Sequence, residues 1–388
     1  MIGGLYIHIP YCRQLCHYCD FAKTANHNAE HLQLYMSTLI DHTLLWIAKQ
    51  DVAQKQIRSV FLGGGTPSLY TNEWARFFAA IQNSLADDCE ISIEANPDDI
   101  NDTSLASWKS VGINRLSVGV QTFQDNGLQF LKRIHNSKTA LAKIDLAKKY
   151  FDNLNIDLIY GWQEQTLTQW QDDLQKAAQL APHLSLYNLT YESQTPIGRQ
   201  MNRGKIEVPS DSKLEKYYIT AMELLENFNH EEVSNWSQSG YECQHNWLYW
   251  NNEYFLGIGT GAHGYLPEGK FGIRYAYDRN DRNFLKQPPA ESAEQSCTNK
   301  VINFEVDRDA DDWLIENIGN RLRTHKGIDL DLISSVTQRS FKPTVKILAG
   351  QDAGLLNVSE GELILSKTEW FRENAWALEV ISSFDLPY

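Results

Sequence analysis

The sequence predicts an α/β protein, an incomplete (β/α)6 barrel followed by a small winged-helix-like α+β domain. Three observations predict it. Six short apolar or β-branched runs, at 5–10, 59–64, 90–96, 115–121, 155–161 and 183–190, each have the length of a buried strand. Helical periodicity fills the intervals, most clearly at 30–49, 72–85 and 139–151. Polar or glycine-rich groups then follow strand after strand, as they do at a barrel mouth, where functional groups are shared among strand ends. Repeated βα units force parallel strands with right-handed crossovers, because each helix returns the chain to the same edge. An open dinucleotide-binding sheet is the rival, but its fingerprint belongs in the first βα turn, and here that turn carries cysteines. Six units are fewer than the eight of a closed barrel, so the barrel is expected to be laterally open.

The pattern changes after residue 190. A loop punctuated by glycine and proline runs from 192 to 211 and leads into a helix near 211–228, which reads as an elaboration on the barrel. KQPPAESAEQSCTNK at 286–300 is polar and rich in Pro, Ala and Ser, and it reads as a connector. The expected domains are therefore 1–285, with the elaboration at about 192–285, and 300–388. The second contains helical stretches at 309–323 and 341–350, two apolar runs about an SEGE turn at 354–366, and a last helix.

Composition narrows the function classes. The 388 residues carry 35 Lys and Arg against 49 Asp and Glu, a net charge of −14, and 42% are hydrophobic. An acidic surface does not attract phosphate backbones. The candidate recognition helix, SFKPTVKILAG, has only Lys342 and Lys346, so no nucleic acid partner is expected. No run approaches 18 apolar residues, and MIGGLYIHIPYC has neither a basic nor an apolar signal region. A soluble cytoplasmic protein, not an integral membrane protein, is expected.

Three of the six cysteines, Cys12, Cys16 and Cys19, lie on one short stretch, whereas Cys89, Cys243 and Cys297 are scattered. Thiolates at C-x3-C-x2-C spacing converge on one soft metal centre and leave a coordination place open. Zinc with His17 or His8 as fourth ligand fits, and so does an iron-sulfur cluster with one uncapped iron. Gly63 to Gly65 with Thr66 and Pro67 either form a tight turn capped by Thr66 or let a ligand approach bare backbone.

Taken together, YIHIPYCRQLCHYCDF and FLGGGTP closely resemble the radical S-adenosylmethionine (SAM) superfamily. The resemblance implies that the three cysteines hold three irons of a 4Fe-4S cluster. The amino acid end of SAM would chelate the fourth, and an electron from the cluster would split the sulfonium. EANPDD, SVGVQTF, LKRIHN, DLIYG and YNLTYE look like successive motifs of the coproporphyrinogen dehydrogenase-like branch, so the resemblance covers nearly the whole chain. Carried over residue by residue, Tyr6, Gly64, Gly65, Thr66, Glu94, Gln121, Arg133 and Asp157 match SAM-contacting positions, joined by Tyr18 and Thr190. The resemblance implies a carboxylate for the ribose or ammonium, Arg133 for the SAM carboxylate, and an aromatic ring beside the cluster. The ordinary alternatives are a buried Glu94–Arg133 ion pair and Asp157 as a turn cap.

Within that branch, the oxygen-independent coproporphyrinogen III dehydrogenases have a cysteine two places after the third ligand, where this chain has Phe21, and a long segment before the cluster motif, where this chain has eleven residues before Cys12. Both departures resemble the HemW-type haem chaperones. CQHNWLYW at 243–250 is similar to the haem-binding motif of those chaperones, which implies His245, Asn246, Tyr249 and Trp250 as haem contacts and Cys243 as an alternative ligand. In a helix His245 and Tyr249 share a face; an imidazole among such aromatics also suits an ordinary core.

The resemblance therefore implies a 4Fe-4S cluster, SAM and haem, with haem and a haem-accepting protein as partners. The alternative is a coproporphyrinogen III dehydrogenase, and a zinc-stabilised interaction module is a third class. GTGAHG at 259–264 matches a nucleotide fingerprint, but YLPEGKFGIRY follows where a helix should begin. It reads as a glycine-rich turn near the SAM site.

Overall fold

In the computed structural model, which describes residues 1–286, 302–305 and 308–385, each of the six expected strands forms. They are β1 (Gly4–Ile9), β2 (Ile57–Gly64), β3 (Leu85–Ala95), β4 (Arg115–Gln121), β5 (Asn153–Tyr160) and β6 (His183–Asn188). Each pairs in parallel with the next. Helices fill the intervals. The first, Ala29–Lys49, starts at Asn28, whose side chain accepts from His31 N–H, and buries a stripe that includes Tyr35, Met36, Leu39, Ile40 and Trp46. Asn101 with Ser104, and Thr166 with Gln169, form capping boxes on the helices Asp102–Ser110 and Leu167–Leu180.

Six further strands extend the sheet among the described residues. β7 (Asn229–Glu232) and β8 (Asn235–Ser237) add antiparallel beyond β6. β9 (Phe255–Ile258) lies parallel to β1, followed outward by β10 (His263–Leu266), β11 (Ile273–Tyr277) and β12 (Ile302–Glu305), all antiparallel. The order is β12-β11-β10-β9-β1-β2-β3-β4-β5-β6-β8-β7. β1 and β6, which would meet in a closed barrel, instead each take an added strand, so the barrel is incomplete and open, as expected. The added strands were not legible because runs such as NHEE have little intrinsic strand preference and form by pairing onto an existing edge.

The strands alternate with period two. Outward residues such as Leu5, Ile7, Val60, Leu62, Ile93, Leu116, Val118, Ile156 and Leu184 are fully buried. The inward face is polar, carrying Ser59, Glu94, Arg115, Ser117, Asn155, Asp157, His183 and Ser185. Most closed barrels fill this space with branched apolar layers. Here it stays partly open and becomes the site.

The C-terminal part contains the helices Ala310–Arg321, Leu330–Thr337, Val345–Asp352 and Glu373–Ile381. A three-stranded antiparallel sheet joins them: β13 (Ile328–Asp329), β14 (Leu356–Ser359) and β15 (Glu362–Leu365). Its hairpin turns through Glu360 and Gly361, with φ of 52° and 80°, the two left-handed positions of a tight hairpin turn. This is the expected winged-helix-like arrangement. From residue 287 the expected connector, and with it the domain boundary, lies outside the described residues. The first C-terminal helix docks on the barrel's elaboration: Asn320 Nδ2 donates to Tyr249 O (3.3 Å) and Arg321 Nη1 to Asn251 Oδ1 (2.6 Å).

Candidate functional site

The loop after β1 is closed at its base, where Cys12 N–H donates to Thr24 O (2.9 Å) and Thr24 N–H to Pro10 O (2.7 Å). Its flank is tied down by Arg13, whose Nε donates to the buried Asp99 carboxylate (2.8 Å), which also accepts from Ser68 Oγ (2.8 Å). Cys12, Cys16 and Cys19 therefore stand on a loop with fixed ends, and all three line one cavity of about 540 Å³ at the C-terminal ends of the parallel strands. Burial pushes the Cys12 thiol up to about 11 and raises Cys19 as well. Thiols held protonated release protons when a metal takes them.

The cavity gathers nine of the ten residues expected to contact SAM. Gly64, Gly65 and Thr66 line it beside Cys12, and neither glycine has room for a side chain. At Gly64 (φ +111°) a Cβ would lie 2.7 Å from the His8 ring, and at Gly65 it would lie 2.9 Å from Cys12 Sγ and from Ile9 O. Gly64 N–H donates to Glu94 Oε2 (3.1 Å). Burial, then the Asp157 carboxylate, pushes Glu94 up to about 8. Asp157 is raised too, by burial, although Asn155 Nδ2 (2.7 Å) and Ser117 Oγ (3.1 Å) donate to it. Gln121 ends β4 in a left-handed conformation (φ 72°), at a register shift against β5. Tyr18 and Thr190 complete the wall.

Arg133 does not pair with Glu94. Its Nη1 donates to Cys16 Sγ (3.3 Å), and its Nη2 donates to Gly119 O (2.8 Å) and Asn96 Oδ1. Nor does Asp157 cap a turn; it lies within β5. Tyr6, the tenth expected residue, sits behind the cavity, hydrogen-bonded to His8 Nδ1 (3.1 Å). His8 Nε2 is bonded to Ala22 O (2.8 Å), so both nitrogens of one candidate zinc ligand are engaged. The sequence reading missed the floor: Arg115, Ser117, Asn155 and Ser185 line it. Period-two polarity within runs read as buried was the signal for them.

The four residues of the expected haem motif do not converge. They form the helix Gln244–Trp250, and His245 and Tyr249 do share a face, with Nε2 and the phenol oxygen 2.8 Å apart. His245 is fully buried, its Nδ1 is bonded to Ser59 Oγ (2.8 Å), and burial lowers its pKa to about 3. Asn246 reaches the main cavity, Tyr249 a second hollow, and Trp250 Nε1 is buried without a hydrogen-bond partner among the described residues.

A partial parallel barrel whose first loop carries three cysteines opposite a glycine-lined turn defines a radical SAM-type protein, and residues 6–177 match the Radical SAM superfamily. The heme chaperone HemW of Lactococcus lactis is 36% identical over 311 residues, spanning 78% of this chain and 77% of that protein. HemW of Escherichia coli is 35% identical over 318 residues, spanning 79% and 82%. The fold is similar to that of coproporphyrinogen III oxidase (HemN) from Escherichia coli, described as a radical SAM enzyme, with a TM-score of 0.75 and 19% identity over 97% of this chain and 90% of that one. The chain belongs to the HemW family.

The superfamily implies a 4Fe-4S cluster and SAM, and the residues present fit them. Three thiols line one cavity, and bare glycine backbone stands beside them, since a Cβ on Gly65 would lie 2.9 Å from Cys12 Sγ. Buried carboxylates stand opposite. Among the described residues no three His, Cys, Asp or Glu side chains are already gathered in metal-holding geometry. A cluster would draw the thiols together, and when bound it supplies reducing electrons to a sulfonium. No described helix is long and apolar enough to cross a membrane.

Proposed function

We propose that this chain is a cytoplasmic haem chaperone, which binds haem and passes it to an acceptor protein. What carries the reading is the identity of 36% to a heme chaperone over more than three quarters of both chains, joined to Phe21 at the place where the dehydrogenases carry a cysteine. Cys12, Cys16 and Cys19 hold the cluster. Gly64, Gly65, Thr66, Glu94, Gln121, Arg133 and Asp157 bind SAM, with Tyr18 and Thr190 at its edge and Tyr6 packed behind. Glu94, protonated over much of the neutral range, donates to a ribose oxygen or, once ionised, accepts from an ammonium. Arg133 supplies a cation beside Cys16 for a carboxylate.

Haem binds against the helix Gln244–Trp250. Its residues have different tasks: Tyr249 offers a ring to the porphyrin, while His245 holds that ring in place through the 2.8 Å contact with its phenol. The C-terminal helix docked on Tyr249 and Asn251 couples this region to the winged-helix-like part, which is suited to meeting the acceptor.

Transfer is the test. The haem-loaded protein is mixed with an apo b-type haem protein, and the acceptor's Soret band is followed. The proposal expects haem to move at a rate that depends on both protein concentrations. A rate equal to haem's simple dissociation from the chain, independent of acceptor, would contradict delivery.

A further inference from the structure

The floor of the main cavity carries a charge that the protein does not balance. Arg115 opens β4, at the end of the barrel opposite the cysteine loop, and is 2% exposed while lining the cavity. Its guanidinium is always ionised. Among the described residues no carboxylate lies within ion-pair distance of it, and its side chain makes one hydrogen bond, from Nη2 to His183 Nδ1. Its Nε is buried with no partner among the described residues. Burial, then the Arg115 charge itself, lowers the His183 pKa, so this imidazole is neutral and offsets nothing. Buried charges are ordinarily paired.

The carboxylates on the neighbouring strands are engaged elsewhere. Glu90 accepts from Gln244 N–H (3.2 Å) and His245 N–H (3.3 Å). Glu94 accepts from Gly64 N–H, and Asp157 from Asn155 and Ser117. The rest of the floor satisfies itself: Asn155 Nδ2 donates to Ser117 Oγ (2.7 Å) and Ser185 Oγ (2.9 Å), and Ser185 Oγ donates to Asn235 Oδ1 (2.9 Å). Arg115 is different, and so are the groups beside it. Ser92 and Asn153 stand in register with Arg115 on the flanking strands, and Ser92 Oγ, Asn153 Oδ1 and His183 Nε2 are also buried without partners among the described residues. Because a guanidinium only donates, His183 Nδ1 accepts from it, which leaves the proton of the neutral ring on Nε2. One level of the barrel thus sets uncommitted donors on Ser92 and His183 around a buried cation.

We propose that the barrel floor is a binding site for a small carboxylic acid, whose carboxylate pairs with Arg115. The inference goes beyond the chaperone reading and makes no use of haem. A planar carboxylate matches the guanidinium fork, and one negative charge matches one cation, whereas a phosphate dianion would bring surplus charge toward Glu94 and Asp157. The site is separate from that of SAM. Six residues of β4 lie between Arg115 and Gln121, about 20 Å of strand, so the amino acid end of a SAM held at the cysteine loop does not reach this guanidinium.

The test is calorimetric titration of the anaerobically reconstituted protein with propionate, in carboxylate-free buffer at constant ionic strength, with propionamide as the uncharged control. Wild type should bind one propionate per chain and propionamide at least ten-fold more weakly. Arg115→Met should bind propionate at least ten-fold more weakly, and Arg115→Lys, which keeps the charge but loses the fork, several-fold more weakly. Both variants should keep their iron and sulfide. Saturating SAM should leave propionate affinity within about two-fold. The proposal is overturned if wild type shows no saturable propionate binding, a result that needs no variant, or if propionamide binds equally well. Undiminished binding by a folded Arg115→Met would also overturn it. Abolition by SAM would show that the carboxylate Arg115 takes is SAM's own and that no second site exists.

Discussion

The two hollows flanking the cluster loop differ in chemistry as sharply as in position. The main cavity is lined by glycine backbone, buried carboxylates and thiols, and Arg133 sets a guanidinium beside the Cys16 thiol. The groove behind is aromatic, with an imidazole and a guanidinium at its exposed rim. The first suits a small, charged, multiply hydrogen-bonded ligand. One loop separates them and contributes Asp20 and Phe21 to both. One loop thus divides two hollows of different chemistry.

The largest effect should come from the thiols. Replacing any one of Cys12, Cys16 or Cys19 by Ala should reduce iron and sulfide after anaerobic reconstitution to background, which elemental analysis reads directly. A full complement in any of the three variants would remove that residue from the ligand set.

Next comes the glycine turn. Gly64→Ala puts a Cβ 2.7 Å from the His8 ring at a left-handed position. It should cost roughly 1–3 kcal/mol of stability and at least ten-fold in SAM affinity, seen by thermal melting and calorimetry. Unaltered melting would mean that the turn relaxes freely.

A smaller effect concerns pH. Glu94 ionises near 8 in the folded chain against an ordinary 4.5, so between those values the folded state binds more protons than the unfolded state. Stability from this group therefore falls as pH rises through that window, and the penalty is complete above it. Glu94→Gln removes the penalty without removing the packing. The melting temperature of Glu94→Gln minus that of wild type, measured without SAM, should rise between pH 5 and pH 9; a flat difference would show that Glu94 ionises normally.

The smallest effect tests the boundary between the hollows. Tyr249→Phe keeps the ring on the groove and removes the bond to His245, worth about 1 kcal/mol. Haem affinity should drop only a few-fold, with SAM affinity untouched. Equal losses for both ligands would show that the two hollows act as one site.

The rim of the main cavity was largely legible in the sequence because the cysteine loop, Gly64 to Thr66, Glu94 and Gln121 sit at or near the ends of parallel strands, and the strands announce themselves. Glu94 and Gln121 could be found that way, and Asp157 as a carboxylate within the fifth apolar run. The floor was not, since Arg115, Ser117, Asn155 and Ser185 lie inside runs whose alternate residues are apolar and buried. The groove was still harder. Tyr6, Phe21, Tyr249 and His263 are far apart in the chain and meet only because β9 pairs with β1, an edge pairing that four residues of FLGI do not announce. A motif pointed to His245, but hydrogen bonds to Ser59 and Tyr249 inside the core decide what its ring can do.

The most direct test of the chaperone account is to give the anaerobically reconstituted protein both candidate molecules. Haem bound is quantified as pyridine haemochrome, so that cluster absorbance does not interfere, and coproporphyrinogen III consumption is followed with SAM and reductant present. The account predicts stoichiometric haem and no porphyrinogen turnover. Porphyrinogen decarboxylation without specific haem binding would contradict it and make the chain an oxidoreductase.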